Sequence, residues 1–378
     1  MLKNIKLVKD TYRILGNYYR TPPKPVMTYL CITGRCNLKC EFCEMGQGVT
    51  DSKDLTTSEI RDIIDELKEW RIKWLYITGG EPFVRKDIWE IIEYCLENGI
   101  SLFRLCTNGT LLNNLDTSEK RLLRRSVKRL IISLDSVKPA KHDEIRGVKG
   151  TFEKIRAFLE LARRDKTLPD VSLASVITSD TYLDITSLIE FGHKYQIGHI
   201  NFQPVNFLSN FPDFDAVGDK NRFLLKTEKL DGLKETIKQT IILAKSLNVS
   251  SNLEMLEKWI AEYFLYSESK EYFFDKVLVN FVCSKPFNYL HIHYNGDLLP
   301  CTMLPRIDNI IGKNIRKSWE KMILAYRKRL LRKEYFPQCR SCFCEFPANL
   351  RNSLLYHPIA NRDMIKDLFP YLTRRVKL

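Results

Sequence analysis

Short apolar runs alternate with amphipathic stretches between residues 26 and 204. Such short runs are typical of buried strands, whereas apolar positions spaced by three and four residues are typical of helices packed on one face. The repeated pair predicts a parallel sheet whose strands are joined by helical crossovers. The predicted strands are Met27–Thr33, Trp74–Thr78, Leu102–Cys106, Leu130–Leu134, Val171–Ile177 and His199–Gln203.

Polar residues mark where the predicted helices begin. Thr57-Ser58-Glu59 precedes one amphipathic stretch, and Asp87 precedes the next. Polar and acidic side chains in these positions accept hydrogen bonds from the free N–H groups of a first helical turn. The sequence therefore predicts a helix after the first strand and another after the second.

A polar segment follows each predicted strand directly. In barrels built from strand–helix units, functional groups collect at the carboxyl ends of the strands. Six units are fewer than the eight of a closed TIM barrel, so we expect an α/β fold: a partial (β/α)6 TIM-like barrel followed by a small cysteine-rich domain. The segments at the predicted mouth are the cysteine loop at 36–43, Gly79-Gly80-Glu81-Pro82, Thr107-Asn108-Gly109-Thr110, Asp135-Ser136, Thr178-Ser179-Asp180 and Pro204-Val205-Asn206.

Changes in composition divide the chain further. The turn signal Asn295-Gly296 lies between two apolar runs and predicts a β-hairpin within the cysteine-rich region. The expected segments are a basic amphipathic helix at 1–25, the barrel at 26–220, a helical bridge at 221–279, the cysteine-rich domain at 280–350 and a basic tail at 351–378.

The composition is ordinary for a globular protein. The 378 residues are 44% hydrophobic and 28% charged, and no apolar run approaches the roughly 20 residues of a membrane-spanning helix. The first residues mix lysines with apolar side chains and lack the apolar block of an export signal. We therefore expect a cytoplasmic protein, whose cysteines serve as metal ligands or reactive thiols rather than as disulfides.

The eleven cysteines fall largely into two groups. Four lie between residues 31 and 43 and five between residues 283 and 344, which leaves only Cys95 and Cys106 outside the groups. Two groups of candidate ligands predict two metal centres.

The first group contains the triplet Cys36-x-x-x-Cys40-x-x-Cys43, a specific spacing. Three thiolates can bind three irons of a four-iron cluster and leave the fourth iron open to a small molecule, as open catalytic metal sites do. A structural zinc site is the alternative, with Cys31 as its fourth ligand. Cys31 lies inside an apolar run, which favours a buried thiol that behaves as a hydrophobic side chain.

The triplet after the first strand, followed by Gly79-Gly80-Glu81-Pro82 after the second, resembles the radical S-adenosylmethionine (SAM) superfamily over residues 27–206. The resemblance implies a [4Fe-4S] cluster bound by Cys36, Cys40 and Cys43, with SAM bound through its amino and carboxylate groups to the open iron. It also implies that one electron from the reduced cluster cleaves SAM, and that the resulting 5′-deoxyadenosyl radical removes a hydrogen atom from the substrate.

The resemblance also implies contacts with SAM. The glycine segment matches the motif that receives the methionyl amine: glycines allow a close backbone approach, and Glu81 can accept a hydrogen bond from an ammonium group. Ser133 and Asp135 match the position that meets the ribose, although a packed serine and a turn-capping aspartate remain the alternative. No catalytic residue is assigned. The predicted cofactor-binding residues are Phe42, which matches the aromatic residue before the third cysteine, Gly79, Gly80, Glu81, Pro82, Ser133 and Asp135.

Other polar residues are left without a ligand-binding role. Asn108-Gly109 and Arg146-Gly147 resemble stretches that recur in the superfamily, and we interpret them as fold markers. His142, His193 and His291 are single polar residues, which in most proteins lie on the surface or are satisfied in the core.

The second cysteine group resembles the auxiliary-cluster region of the SPASM and twitch branch. The implied ligands of one auxiliary [4Fe-4S] cluster are Cys283, Cys301, Cys339 and Cys342, with Cys344 as the alternative to Cys342. The shorter twitch type is expected because Cys344 is the last cysteine of the chain. A zinc ribbon is the alternative for this group. A cluster with four protein ligands is expected to transfer electrons.

The net charge of +14 favours an anionic partner, or it is simply a basic surface. The helix at 1–25 and the tail at 351–378 suit either peripheral contact with the inner face of a membrane or packing against the barrel. Nucleic acid is disfavoured because no appended nucleic-acid-binding module is evident. The resemblance implies a reductant such as flavodoxin or ferredoxin.

These features predict a radical SAM oxidoreductase or related modifying enzyme. The expected reaction is oxidation or rearrangement of a small molecule, a sugar or lipid-linked intermediate, or a peptide. An RNA-modifying radical SAM enzyme is the alternative that the positive charge suggests. A non-enzymatic electron carrier with two clusters is the other, although such a carrier needs no barrel with a Gly-Gly-Glu-Pro loop beside an open cluster.

Overall fold

A computed structural model describes residues 25, 27–48, 53–205, 220–257, 260–268, 285–302, 304, 306–331, 334 and 336. The predicted helix at 1–25, apart from Pro25, and the predicted tail at 351–378 lie outside these residues. No helix among the described ranges is long and apolar enough to cross a membrane.

Ten strands of the described chain form one sheet. They are β1 (Met27–Cys31), β2 (Trp74–Thr78), β3 (Ser101–Thr107), β4 (Leu130–Ser133), β5 (Val171–Ile177), β6 (His199–Pro204), β7 (Ser250–Ser251), β8 (Tyr289–Ile292), β9 (Asp297–Leu299) and β10 (Asp308–Asn309). All six predicted strands are therefore confirmed, with ends that differ by at most two residues.

Helices connect the strands as the alternating pattern predicts. They are α1 (Thr57–Glu69), α2 (Ile88–Glu97), α3 (Thr117–Ser126), α4 (Pro139–Arg146), α5 (Thr151–Arg164), α6 (Ile185–Lys194), α7 (Leu230–Ser246), α8 (Leu253–Leu256), α9 (Ile260–Glu268), α10 (Lys285–Asn288) and α11 (Ile315–Leu331). Short 3₁₀ turns span Pro82–Val84, Lys220–Phe223 and Thr227–Lys229. The predicted bridge at 221–279 is helical where it is described, except that β7 adds a short strand to the sheet.

The first helix begins where its sequence signal predicts. The Thr56 hydroxyl accepts a hydrogen bond from the Glu59 N–H at 3.2 Å, and the Glu59 carboxylate accepts one from the Thr56 N–H at 2.7 Å. This reciprocal capping satisfies two N–H groups that a helix start leaves free.

Strand order explains the barrel-like curvature. Strands β1 to β6 are neighbours in chain order and every pair is parallel. Right-handed crossovers that always advance in one direction place their helices on the same face of the sheet, as in a TIM barrel. The partial barrel is therefore confirmed.

The two faces of the sheet differ in character. Leu30, Ile77 and Leu173 have no exposed surface and pack into the core under the helices. The opposite face carries rings, including Tyr29, whose ring centroid lies 4.5 Å from that of Tyr76 and 4.6 Å from that of His291. This ring-lined face is the interior of the partial barrel.

The predicted hairpin forms, but it belongs to the barrel sheet. Strands β8 and β9 are antiparallel around Gly296, whose φ of +82° favours glycine. Strand β8 also pairs in parallel with β1, with His291 beside Tyr29. Leu290 and Ile292 are buried in the same core as the barrel strands. The hairpin predicted within the cysteine-rich region therefore continues the barrel sheet, because its apolar residues find their partners on β1.

We predict that helix α11 depends on a buried aromatic pair. Trp319 is fully buried and its ring lies 5.4 Å from that of Trp70 on the chain after α1. Replacing Trp319 with Ala should reduce the free energy of unfolding by about 3–5 kcal/mol, because it leaves a large cavity. Leu324→Ala on the same helix, where the side chain is 43% exposed, should cost less than about 1 kcal/mol. Anaerobic urea unfolding measures both, and equal losses would contradict the prediction.

Candidate metal centre

The loop after β1 carries the first three candidate ligands. Cys40 is buried, whereas Cys36 and Cys43 are half-buried. The loop starts at a fixed point, because the Asp54 carboxylate accepts hydrogen bonds from the Thr33 hydroxyl at 2.6 Å and the Gly34 N–H at 2.8 Å. Sequence reasoning missed Asp54, which precedes helix α1 and carries no motif of its own.

The Gly79-Gly80 turn after β2 packs directly on this loop. The Gly80 N–H donates to the Thr33 carbonyl at 2.8 Å, and the Glu81 N–H donates to the Arg35 carbonyl at 2.9 Å. A Cβ on Gly80 would lie 2.0 Å from the Arg35 carbonyl oxygen, and one on Gly79 would lie 2.5 Å from that of Thr33. Both glycines therefore permit two stretches of backbone to approach each other. The glycines were predicted instead to allow a close approach of the cofactor.

Glu81 lies beneath the turn with no exposed surface. Its carboxylate accepts hydrogen bonds from the Asn108 N–H at 2.6 Å, the Thr107 hydroxyl at 2.7 Å and the Phe83 N–H at 3.1 Å. Burial raises the pKa of Glu81 to about 7, although the hydrogen bonds from Asn108 and Thr107 lower it. In this conformation Glu81 joins the ends of β2 and β3, and its predicted contact with the amine of SAM stays a prediction.

The end of helix α4 forms the opposite wall of the loop. The Arg146 carbonyl accepts a hydrogen bond from the Lys39 N–H at 3.0 Å, and the Arg146 guanidinium donates to the Cys40 sulfur at 3.8 Å. Gly147 ends the helix with a φ of +67°, and a Cβ there would lie 2.4 Å from the Lys39 carbonyl oxygen. Arg146, interpreted from the sequence as a fold marker, therefore contacts a candidate ligand.

Asp135 forms an ion pair with Arg146 in this structure. The carboxylate has no exposed surface and lies 2.7 Å from the Arg146 guanidinium, while its other oxygen accepts the Val176 N–H at 2.9 Å. Ser133 at the end of β4 is half-buried. Contact of these two side chains with the ribose of SAM stays a prediction.

Phe42 lies in the cysteine loop, and Pro82 lies in the turn after β2. The half-buried Phe42 ring packs edge-on against Phe223 at 5.9 Å, and the Arg146 guanidinium lies 5.9 Å from its centroid. Pro82 is buried and begins the 3₁₀ turn after Glu81. Their predicted contacts with SAM remain untested.

The three thiols are suited to binding iron as thiolates. Burial raises the pKa of all three, and repulsion between neighbouring thiolate charges raises each further. Each sulfur also accepts a hydrogen bond: Cys36 from the Leu38 N–H at 3.4 Å, Cys40 from Arg146, and Cys43 from the backbone. Burying three thiolate charges costs free energy, and a bound metal offsets this cost because cysteine ligands bind as thiolates and release their protons.

No three Cys, His, Asp or Glu side chains in the described ranges converge on one ion-sized position. A four-iron cluster binds each thiolate to a different iron. The three thiols and the N–H groups directed at their sulfurs provide the donor set that such a cluster requires.

Cys31 precedes this donor set, at the end of β1. Its thiol donates to the Thr33 carbonyl at 3.6 Å, and burial raises its pKa to about 12. These contacts agree with the interpretation of Cys31 as a hydrophobic side chain.

Of the second cysteine group, only Cys301 lies among the described residues, and it is buried. Leu299 pairs with His291 of β8, which pairs with Tyr29 of β1, so β9, the strand that precedes Cys301, runs antiparallel to β1. Cys36 follows the carboxyl end of β1. The predicted ligands Cys283, Cys339 and Cys342, and the alternative Cys344, lie outside the described residues.

A cavity of about 560 Å³ opens beside the cysteine loop. Its lining combines acidic and basic side chains: Glu41, Glu144, Asp180, Lys141 and Arg222. Two of these lining side chains, Glu41 and Arg222, form an ion pair with each other. Such a lining suits a ligand that carries both charges.

We predict that Gly80→Ala detaches the cysteine loop. The new Cβ would overlap the Arg35 carbonyl, at an overpacking cost of about 1–3 kcal/mol. Anaerobically purified protein should contain several-fold less iron than the parent. Gly198→Ala is the matched control, because nothing lies within 4 Å of its Cβ. Full iron content in Gly80→Ala would contradict this prediction.

Glu81→Gln should change stability in a pH-dependent way. Since the folded-state pKa of about 7 exceeds the ordinary value of 4.5, the stabilisation from protonated Glu81 is lost as pH rises between these values. Glutamine does not titrate, so the advantage of the parent over the variant should shrink between pH 5 and pH 8 by on the order of 2–3 kcal/mol. Urea unfolding at both pH values measures this difference, and a constant difference would refute the assignment.

Family models match both cysteine regions. Residues 30–191 match the radical SAM superfamily, and residues 283–343 match the SPASM iron–sulfur cluster-binding domain. These matches confirm the predicted cofactors as iron–sulfur clusters and SAM. The individual ligands, and the number of auxiliary clusters, remain predictions.

Curated relatives match different lengths of the chain. Mycofactocin maturase MftC of Mycolicibacterium smegmatis is 30% identical over 50% of this chain and 47% of its own length. The AdoMet-dependent heme synthase of Methanosarcina barkeri is 37% identical over 35% of this chain and 38% of its own length. The chain thus spans less than half the length of these two relatives. A probable GTP 3′,8-cyclase of Methanococcus maripaludis is 25% identical over 78% of this chain and 92% of its own length.

Solved structures share the fold. SuiB of Streptococcus suis, bound to its precursor peptide SuiA, has a TM-score of 0.57 at 19% identity and covers 84% of this chain and 70% of SuiB. The enzyme anSMEcpe, with bound AdoMet and a Cp18Cys peptide, has a TM-score of 0.58 at 18% identity over 92% of this chain and 98% of its own. With a radical SAM domain around the cysteine loop and a cluster-binding domain after it, the chain belongs to the radical SAM superfamily and to its SPASM-containing branch.

Proposed function

We propose that the protein is a radical SAM enzyme that cleaves SAM reductively and removes a hydrogen atom from a peptide substrate. One observation carries the proposal: three thiols lie on a loop fixed at the carboxyl edge of a partial barrel, with N–H groups directed at their sulfurs. Catalytic groups of such barrels collect at this edge. When bound, the cluster supplies the electron that splits SAM, and SAM supplies the radical that abstracts hydrogen.

The residues of the chain would hold and shield this chemistry. Cys36, Cys40 and Cys43 would bind three irons, and the Gly79-Gly80 turn would keep their loop at the mouth. Phe42, whose ring is half-buried beside the loop, would provide an apolar surface for SAM. Because a closed site limits side reactions of a reactive intermediate, the buried surroundings of the thiols favour this use of the site.

A peptide substrate is supported by the structural neighbours and by the cavity. SuiB and anSMEcpe were each crystallised with a peptide. The cavity beside Glu41 and Arg222 presents both charge signs, as the backbone termini and side chains of a peptide would require. At about 560 Å³ it lies in the usual size range of ligand pockets, roughly 300–1,000 Å³.

A nucleotide is the second candidate substrate. The probable GTP 3′,8-cyclase is matched over 92% of its length, which exceeds the 47% of the mycofactocin maturase and the 38% of the heme synthase. The net charge of +14 also suits a polyphosphate. GTP therefore belongs among the compounds tested.

The net reaction would be an oxidation if a second cluster accepts an electron. After hydrogen abstraction the substrate radical must lose one electron and one proton to become a closed-shell oxidised product. Cys301 follows strand β9. Among the described residues, it is the candidate ligand for such an acceptor. A one-electron donor of the flavodoxin or ferredoxin type would reduce the first cluster.

We expect the anaerobic protein to convert SAM to 5′-deoxyadenosine when dithionite is supplied. Replacing Cys36, Cys40 and Cys43 together with Ala should abolish the product, since the cluster that delivers the electron is lost. Cys31→Ala is the matched control, because Cys31 is a buried thiol at the end of β1 that forms hydrogen bonds with backbone groups. Chromatography with mass detection quantifies the product. Absence of 5′-deoxyadenosine from parent protein with a full, reducible cluster would reject the proposal.

The substrate class requires a separate test. Short peptides encoded beside the gene would be prepared with deuterated amino acids and incubated with the reduced enzyme and SAM. Deuterium in 5′-deoxyadenosine would support a peptide, because it reports hydrogen abstraction directly. Deuterium transfer from labelled GTP, with none from the peptides, would favour the nucleotide instead.

A further inference from the structure

The Arg146 guanidinium joins a candidate ligand to a buried carboxylate. One terminal nitrogen donates to the Cys40 sulfur at 3.8 Å, and the other lies 2.7 Å from Asp135. Arg146 is 8% exposed and Asp135 is fully buried. An arginine at such depth is rare without a partner, and here the partners are a carboxylate and a thiol.

Asp135 is itself held in place by the backbone around it. Its second oxygen accepts the Val176 N–H at 2.9 Å, and its own N–H donates to His142 Nδ1 at 3.3 Å. The ion pair therefore has a fixed orientation, since one partner is bonded to strand β5 and to helix α4. Arg146 is consequently aimed at Cys40 before any metal binds.

The guanidinium remains charged in this setting. Burial lowers the pKa of Arg146, but the charges of Asp135 and Cys40 outweigh burial and raise it above its ordinary value. Cys36 and Cys43, by contrast, accept hydrogen bonds from backbone N–H groups. Within the described part of the chain, a cationic side chain donates a hydrogen bond to Cys40, whereas the donors to Cys36 and Cys43 are backbone N–H groups.

We propose, on the basis of the function above, that Arg146 is a positioning residue which donates a charged hydrogen bond to the Cys40 thiolate and raises the reduction potential of the first cluster. Reduction adds one negative charge to a cluster. Hydrogen bonds to cluster sulfurs and nearby positive charge stabilise that added charge, and both are known determinants of cluster potentials. Arg146 thus makes the electron transfer to the cluster easier.

The same residue also holds the loop through its backbone. The Arg146 carbonyl accepts the Lys39 N–H, and Gly147 packs on the Lys39 carbonyl. A side-chain substitution at Arg146 leaves the first contact in place, whereas Gly147→Ala disturbs the second. The two variants therefore separate the effect on potential from the effect on loop position.

The test is a redox titration of the full chain, monitored by electron paramagnetic resonance under anaerobic conditions. Arg146→Gln, Arg146→Lys and Gly147→Ala are compared with the parent at measured iron content. The spectrum of the Cys36/Cys40/Cys43→Ala variant is subtracted to leave the first cluster. SAM is omitted, so failure of SAM cleavage and failure of this inference are distinguishable.

For Arg146→Gln we expect the reduced-to-oxidised ratio at a fixed potential to fall about tenfold, which for one electron is a shift of about 59 mV to lower potential. Arg146→Lys should shift less, because it keeps the charge without the planar fork. Gly147→Ala should bind less iron, with an unchanged potential in the clusters that form.

An unchanged potential in Arg146→Gln at normal iron content would overturn the inference. Loss of the cluster from both Arg146 variants would also overturn it, because Arg146 would then serve only to hold the loop. If Arg146→Gln loses iron but Arg146→Lys keeps it at a lowered potential, the inference is supported.

Discussion

The site depends on holding an irregular, thiol-bearing loop against the carboxyl edge of a sheet. A loop of this kind has no hydrogen-bond ladder of its own, so its buried backbone groups need partners from elsewhere. Those partners come from two sides: Gly80 and Glu81 bond to the Thr33 and Arg35 carbonyls, and the Arg146 carbonyl bonds to Lys39. Three thiols are thereby held together before any iron binds, which reduces the entropy lost when they become ligands.

Electrostatics add a second constraint to the same site. The charge of the buried carboxylate Glu81 opposes ionisation of Cys36, and that of Asp135 opposes ionisation of Cys40. Arg146 acts in the opposite direction on Cys36 and Cys40. In a low-dielectric setting each of these charges has a large effect, so the arginine and the bound iron together make three neighbouring thiolates tolerable.

The sheet connects the two cysteine regions physically. Strand β8 of the second region pairs with β1, the strand that leads into the cysteine loop. Consequently the strand before Cys301 and the strand before Cys36 belong to one continuous sheet. The interior face of that sheet carries the rings of Tyr29, Tyr76 and His291.

Much of this protein follows from the sequence by itself. Six strands, their parallel order and the capped start of α1 come from apolar periodicity and local polar signals, which are properties of neighbouring residues. The triplet of Cys36, Cys40 and Cys43 was found in the same way, since a short spacing keeps ligands close in any fold. Only the tertiary structure decided that the hairpin joins the barrel, that Gly80 faces Arg35 and that Arg146 reaches Cys40. These contacts join residues far apart in the chain, and their partners are chosen by packing and burial rather than by local pattern.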